Sequence, residues 1–231
     1  LAKRIREDVL TVKYATPKLG YGRISASGSF SLGCLRRAVR HTLCGDDWLD
    51  VDVENAHPTF LVQLCAAANI ACVALKHYVE NRDDALAEVY KMFVADTPPE
   101  HARDAAKKLF ICVLYNGSPN SWKEKAAANR EMVFREQAVL PAIVLALKKE
   151  IVGISRTFQL MNPDFVKQLE KHLDKQGVPK HNGTFQNWHG KFLSHYLQEW
   201  ECRVLSTMVE TMTAQGYIRN RDASLQHDGL A

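Results

Sequence analysis

The side chains best suited to chemistry in this sequence are acidic residues near its two ends and a basic helical stripe between them. The first acidic group lies in Trp48-Leu-Asp-Val-Asp-Val-Glu-Asn-Ala-His-Pro-Thr-Phe-Leu-Val-Gln-Leu64. Alternation puts Val51 and Val53 on one side of a short strand and Asp50 and Asp52 on the other. Asn55 is then placed to cap a helix whose apolar face is Phe60, Leu61 and Leu64. A carboxylate where a strand gives way to a helix is firmly held yet reachable, which suits a metal ligand. One such Asp by itself is more often an ordinary acidic turn, so its meaning depends on partners elsewhere in the chain.

The stretch Arg103-Asp-Ala-Ala-Lys-Lys-Leu-Phe-Ile-Cys-Val-Leu-Tyr-Asn-Gly117 offers such partners. Arg103, Lys107, Ile111 and Tyr115 step by four and therefore stack along one helix face. Two cations for phosphates, an apolar contact and an aromatic ring for a base follow in order. Arg103 as a fork and Lys107 as a point charge suit a triphosphate. Arg and Lys four apart usually mean a solvated face, but this face ends in Ile and Tyr, which solvent does not select. The second acidic group lies in Ala223-Ser-Leu-Gln-His-Asp-Gly-Leu-Ala231. Its alternating run, ending in His227-Asp228-Gly229, reads as a strand entering a tight hairpin turn. Two carboxylates on neighbouring strands can hold two Mg²⁺ ions opposite a basic helix. That is equipment for in-line phosphoryl transfer from a nucleoside triphosphate.

The elements that must position these groups are mostly helical. Residues 1–20 form a basic, irregular lead-in. Tyr21-Gly-Arg-Ile-Ser-Ala-Ser-Gly-Ser-Phe30 is a small-residue loop that lets backbone lie close to a ligand beside Arg23. Residues 33–43, with Arg36, Arg37 and Arg40, form a short helix or strand. The helix after Asp52 runs to about Asn69. Residues 71–93 are mainly helical, with Val79, Leu86, Val89, Met92 and Phe93 as a core stripe. Thr97-Pro-Pro-Glu starts the basic helix, with Thr97 as N-cap and proline just inside. Residues 118–152 read as one long helix that Pro141 kinks or breaks. Residues 157–178 contain an amphipathic helix on Phe165, Leu169 and Leu173 that stops at Gly177. A polar loop over 179–190 and a helix over 191–214 follow.

The 231 residues amount to one large domain or two closely packed lobes. A hydrophobic share of 46% with 24% charged residues excludes a disordered chain. The formal charge of +4 permits an anionic partner without demanding one. Six cysteines without a CxxC pair or close Cys/His spacing imply a reducing, intracellular setting with neither disulfides nor zinc. No apolar run approaches the roughly 18 residues that cross a membrane. The chain opens and stops mid-pattern, as an excerpt of a longer protein would.

Taken together, these segments resemble the catalytic core of the family-A DNA polymerases and the single-subunit RNA polymerases, over residues 21 to 231. Tyr21-Gly-Arg-Ile-Ser-Ala26 resembles the family's Thr-Gly-Arg-Leu-Ser-Ser segment. Asp52-Val-Glu-Asn-Ala-His57 resembles motif A, Pro99 through Gly117 the motif B helix, and His227-Asp228 motif C. The Asp-x-x-x-x-His-Pro and His-Asp-Gly variants are similar to divergent polymerases of viruses and mobile elements.

The resemblance implies an α+β fold: helical fingers on a small antiparallel-sheet palm, a right-hand architecture lacking its thumb. Residues 1–70 and 181–231 would form the palm and 71–180 the fingers. It implies a DNA-directed DNA polymerase that adds deoxynucleotides to a primer 3′ end with two Mg²⁺ ions. An RNA polymerase or primase-like enzyme, and an inactive nucleic-acid-binding module, are the alternatives. Asp52, Asp228 and the Val53 carbonyl would hold the metals. Arg103 and Lys107 would hold the triphosphate, with Lys107 also protonating pyrophosphate. Ile111 and Tyr115 would sit by the nucleotide, and His57 would stand at the sugar gate. Arg23 and His227 would contact the primer. Primer-template DNA, dNTPs and further replication subunits would be its partners, with no membrane. This chain departs from the family in Tyr115-Asn116-Gly117, one residue longer than Tyr-Gly, and in Gly229 where the family has Glu.

Overall fold

A computed structural model describes residues 3–6, 9–15, 22–27, 35–36, 39, 42, 51–128, 132–218 and 229–230. Asp50, His227, Asp228 and most of the 33–43 segment lie outside the described residues, as do the expectations placed on them.

Strands among the described residues occur only as short antiparallel pairs. Strand β1 (Lys3–Arg6) pairs with β2 (Val9–Thr11), and β3 (Lys13–Ala15) pairs with β4 (Ser25–Ser27). Strand β5 (Val51–Asp52) is the predicted alternating run, and it precedes helix α1 (Ala56–Ala67). Asn55 joins the two at φ +51°, a left-handed conformation that Asn tolerates better than most residues. Then come α2 (Val73–Glu80), α3 (Arg82–Tyr90), α4 (Pro99–Leu114) and α5 (Pro119–Ala127). Helices α6 (Ala142–Met161) and α7 (Pro163–Lys175) follow, then β6 (Lys180–His181) and β7 (Thr184–Phe185). Helix α8 (Trp188–Ala214) and β8 (Gly229–Leu230) complete the described chain. The protein is thus mostly helical with small antiparallel ladders, an α+β composition as expected.

The chain forms two compact units, Leu1–Phe60 with His195–Ala231, and Leu61–Ser194. The units divide at 60/61 and 194/195. Cys65 lies against Cys72 in the second unit. Phe192 packs edge-on to Phe165 at 5.7 Å, which draws residues 188–194 into the same unit.

In the second unit, α4 packs against α3, α5 and α6, and α6 also against α2 and α7. Its core follows from helical periodicity. Val144, Leu147, Ile151, Ile154 and Phe158 form one buried stripe of α6, and Ala102, Ala105, Ala106, Leu109, Phe110 and Val113 one of α4. Phe110 stacks on Tyr78 with ring centroids 4.1 Å apart. Each large side chain so buried contributes about 1.5–3 kcal/mol. In the first unit, Leu205 and Ile218 are buried together, with Val51, Met208, Val209 and Met212 packed on them.

Residues 71–93 are mainly helical, as expected, with one interruption at Asn81, whose side chain donates to the His77 carbonyl at 3.1 Å. Several local expectations are corrected. Pro98, not Thr97, precedes α4, because Pro99 excludes the helical conformation from the residue before it; Pro98 has ψ 133°. The stretch 118–152, expected as a long helix kinked or broken at Pro141, is two helices, α5 and α6. Pro141 at ψ 145° starts the second, since it lacks the N–H that a continuous helix would use. Between them Phe134 bridges to Phe93. The amphipathic helix on Phe165 begins only at Pro163 and ends at Gly177, which takes φ +68°. The 179–190 loop holds a hairpin instead, turning at Asn182 (φ 50°) and Gly183 (φ 76°). Gly229 is not a hairpin tip: it lies in β8, opposite Asp52.

Candidate nucleic-acid interface

In the first unit, the strand–helix junction presents Asp52 as an exposed residue of β5, followed by half-buried Val53. Antiparallel pairing sets Asp52 opposite Gly229 and Val51 opposite Leu230. Gly229 follows Asp228 in the chain, but Asp228 and His227 lie outside the described residues. Among the described residues, no group of three or more His, Cys, Asp or Glu side chains comes together to hold a metal. Of the two carboxylates expected to hold magnesium, Asp52 lies among the described residues and Asp228 does not.

His57 and Arg23 converge on a residue that sequence reading did not single out, Glu201 of α8. Arg23 grips it as a fork, Nε to Oε2 at 2.5 Å and Nη2 to Oε1 at 3.0 Å. His57 Nε2 lies 3.4 Å from Oε2, a longer contact. Glu201 is 2% exposed. Burial pushes its carboxyl pKa up, and the hydrogen bonds and charges of His57 and Arg23 outweigh that, holding it below the usual carboxylate range. The neighbouring Glu199 accepts from the Gly22 amide at 3.0 Å and from Arg203 Nε at 3.0 Å. The signal for Glu201 was present in the sequence. It stands in a buried i, i+4 row with Leu197 and Leu205, where a carboxylate needs a partner.

In the second unit, α4 carries Arg103, Lys107 and Ile111 along one face, with Tyr115 at its C-cap. Arg103 Nη2 reaches Asp83 Oδ1 of α3 at 2.9 Å, both side chains well exposed. Hydrogen bonding to Asp83 raises the already high Arg103 pKa. Lys107 is half-buried, and Ile111 remains 41% exposed.

The extra residue of Tyr115-Asn116-Gly117 closes the helix. Asn116 takes φ +51° and donates through Nδ2 to Asn187 Oδ1 at 3.1 Å. Asn187 Nδ2 donates to the Tyr115 carbonyl at 2.9 Å. Lys148 Nζ of α6 donates to the Asn116 carbonyl, Asn116 Oδ1 and the Gly117 carbonyl at 3.4, 3.2 and 2.9 Å. A cation at a helix C-terminus satisfies carbonyls that have no helical donor. Lys148→Met, which keeps the stem and removes the donors, is expected to destabilise the protein by about 1–3 kcal/mol in urea unfolding. An unchanged midpoint would show that water replaces the ammonium without loss.

Beside this loop a cavity of about 600 Å³ opens between α4 and α5. His101, Asp104 and Lys108 of α4, and Lys125 of α5, contribute its polar groups. Ile111, Tyr115, Trp122 and Met132 give it apolar and aromatic walls. The α4–α5 segment, residues 99–127, holds five Arg or Lys against three Asp or Glu.

No protein-family model matches the chain, and no solved structure matches it. The chain is similar to a protein of the Sputnik virophage named "Putative helicase V13", at 32% identity over 136 residues. The match covers 56% of this chain and 17% of that protein, so the chain spans far less than two thirds of its relative. This finding corrects the expectation of a DNA-directed DNA polymerase. The relative carries the name of a different activity, and the nucleotidyltransferase reading, with its dNTP substrates, is set aside. The motifs that suggested it are short, and cationic helices beside acidic strand ends serve phosphate binding in many settings.

Proposed function

We propose that this chain is a nucleic-acid-binding module of a helicase-type protein. The observation that carries the proposal is the 32% identity to the virophage protein. A second supports it: α4 and α5 present a net positive, partly aromatic surface, suited to a phosphate backbone with exposed bases. These 231 residues contain no G-x-x-x-x-G-K-[ST] phosphate loop, so the proposal assigns this chain strand binding and no motor step. The right-hand arrangement suggested by the sequence enters as a scaffold only, supported by the pairing of Asp52 with Gly229.

The test is fluorescence anisotropy with a labelled single-stranded oligonucleotide. Micromolar binding is expected, typical of sequence-independent contacts. With about three phosphates neutralised, the log–log salt slope is about −2, so raising salt from about 50 to 200 mM weakens binding roughly 15-fold. No binding at the lower salt overturns the proposal. So does Mg²⁺-dependent primer extension that Asp52→Asn abolishes.

A further inference from the structure

We infer that the cavity between α4 and α5 is a base pocket: it takes an unstacked nucleobase of a single strand while Lys108 and Lys125 hold the flanking phosphates. This rests on the nucleic-acid-binding proposal and goes further by naming the strand type and the side chains. The volume of about 600 Å³ lies in the range of small-ligand sites, roughly 300–1,000 Å³. It shares Ile111 and Tyr115 with the stripe that suggested a triphosphate, but its lysines are Lys108 and Lys125, not Arg103 and Lys107. Lys108 is 70% exposed and reaches Asp104 Oδ2 at 2.6 Å, a surface pair weak enough for a phosphate to displace. Lys125 is exposed on the facing helix.

The walls are preorganised. Trp122 Nε1 donates to the Ala105 carbonyl at 2.9 Å, and its ring meets Phe93 and Phe134 at 6.3 and 5.6 Å. The Tyr115 backbone is fixed by Asn187. Ile111 adds an exposed apolar contact on the cavity wall, where a base would cover it. With buried Trp122 as its floor, half-buried Tyr115 and exposed Ile111 as walls and cations at its mouth, the slot takes any base against Tyr115 and selects against an intact duplex, whose bases are already stacked.

The test compares a labelled 12-mer of thymidine with an abasic 12-mer carrying the same phosphates. The wild-type chain is expected to bind the thymidine strand at least roughly fivefold more tightly, the lower end for one stacked base. Ser121→Trp, which fills the cavity and keeps both lysines, is expected to bring that ratio to about one. Lys108→Gln with Lys125→Gln is expected to weaken both strands equally. A uridine 12-mer in place of thymidine shows whether DNA or RNA is preferred. Photo-crosslinking of a bromouridine strand to the unaltered chain needs no variant, and is expected to label the peptides carrying Tyr115 or Trp122. Equal wild-type binding of thymidine and abasic strands, or crosslinks confined to other peptides, overturns the pocket and leaves the binding module standing. No binding of either strand overturns both.

Discussion

Gly190→Ala is expected to lower the melting temperature by about 6–12 °C, corresponding to about 3 kcal/mol in a unit of this size. A Cβ at this position would lie 1.9 Å from the Tyr115 carbonyl oxygen, 2.5 Å from Asn187 Nδ2 and 2.8 Å from the Tyr115 carbonyl carbon. Two of these atoms are backbone, so rotamer changes cannot relieve the clash. The first turn of α8 must retreat from the loop after α4, and the Asn187 hydrogen bond to Tyr115 is lost with it. Tyr115 lines the cavity, so the same variant is expected to weaken strand binding. Gly153→Ala in α6 is the control. Nothing lies within 4 Å of its added Cβ, and alanine is the better helix former by about 1 kcal/mol. Differential scanning calorimetry should show the two variants moving in opposite directions. Equal shifts would mean that the approach of α8 to Tyr115 is not as close as described.

Glu201→Gln is expected to destabilise the first unit by about 2 kcal/mol at neutral pH, measured by denaturant unfolding. Removing one partner of a fully buried ion pair costs about 3–5 kcal/mol, and the smaller value here reflects an Arg23 side chain that is 37% exposed. The loss depends on pH with a definite sign. The carboxyl pKa is depressed in the folded state, so its contribution is complete above the ordinary value of 4.5. It fades as pH falls through the lower folded-state value. The gap between wild type and variant should therefore be widest near neutrality and close in acid. A gap that widens in acid would show that Glu201 folds protonated. Glu201→Leu combined with Arg23→Met is expected to recover most of the loss, because an apolar pair fits the Leu197–Leu205 row.

The same two sites show what could be read from the sequence. The α4 stripe was legible because helical periodicity places Arg103, Lys107, Ile111 and Tyr115 on one face whatever surrounds them. The α7 core on Phe165, Leu169 and Leu173 was legible for the same reason, and the strand–helix turn at Asp52 from the alternation of Val51 and Val53 with Asp50 and Asp52. The row Leu197, Glu201, Leu205 marks Glu201 as a carboxylate in need of a partner, but that partner, Arg23, lies 178 positions away and no local pattern names it. The Asn182-Gly183 hairpin turn was a local signal that lay unused inside a polar stretch. The α4–α5 cavity was illegible, since its walls are assembled from two helices and from Met132 beyond them. Activity was the least legible of all. Short acidic and basic motifs fit phosphoryl transfer and phosphate binding alike, and the relative's name decided against the first.

Hydrogen–deuterium exchange of the chain, alone and saturated with a single-stranded oligonucleotide, tests the central claim most directly. A bound strand should slow exchange across residues 101–126, on α4, α5 and the loop between them. Exchange there that is unchanged by the strand, with slowing confined to residues 22–57 around Arg23, Asp52 and His57, would contradict it.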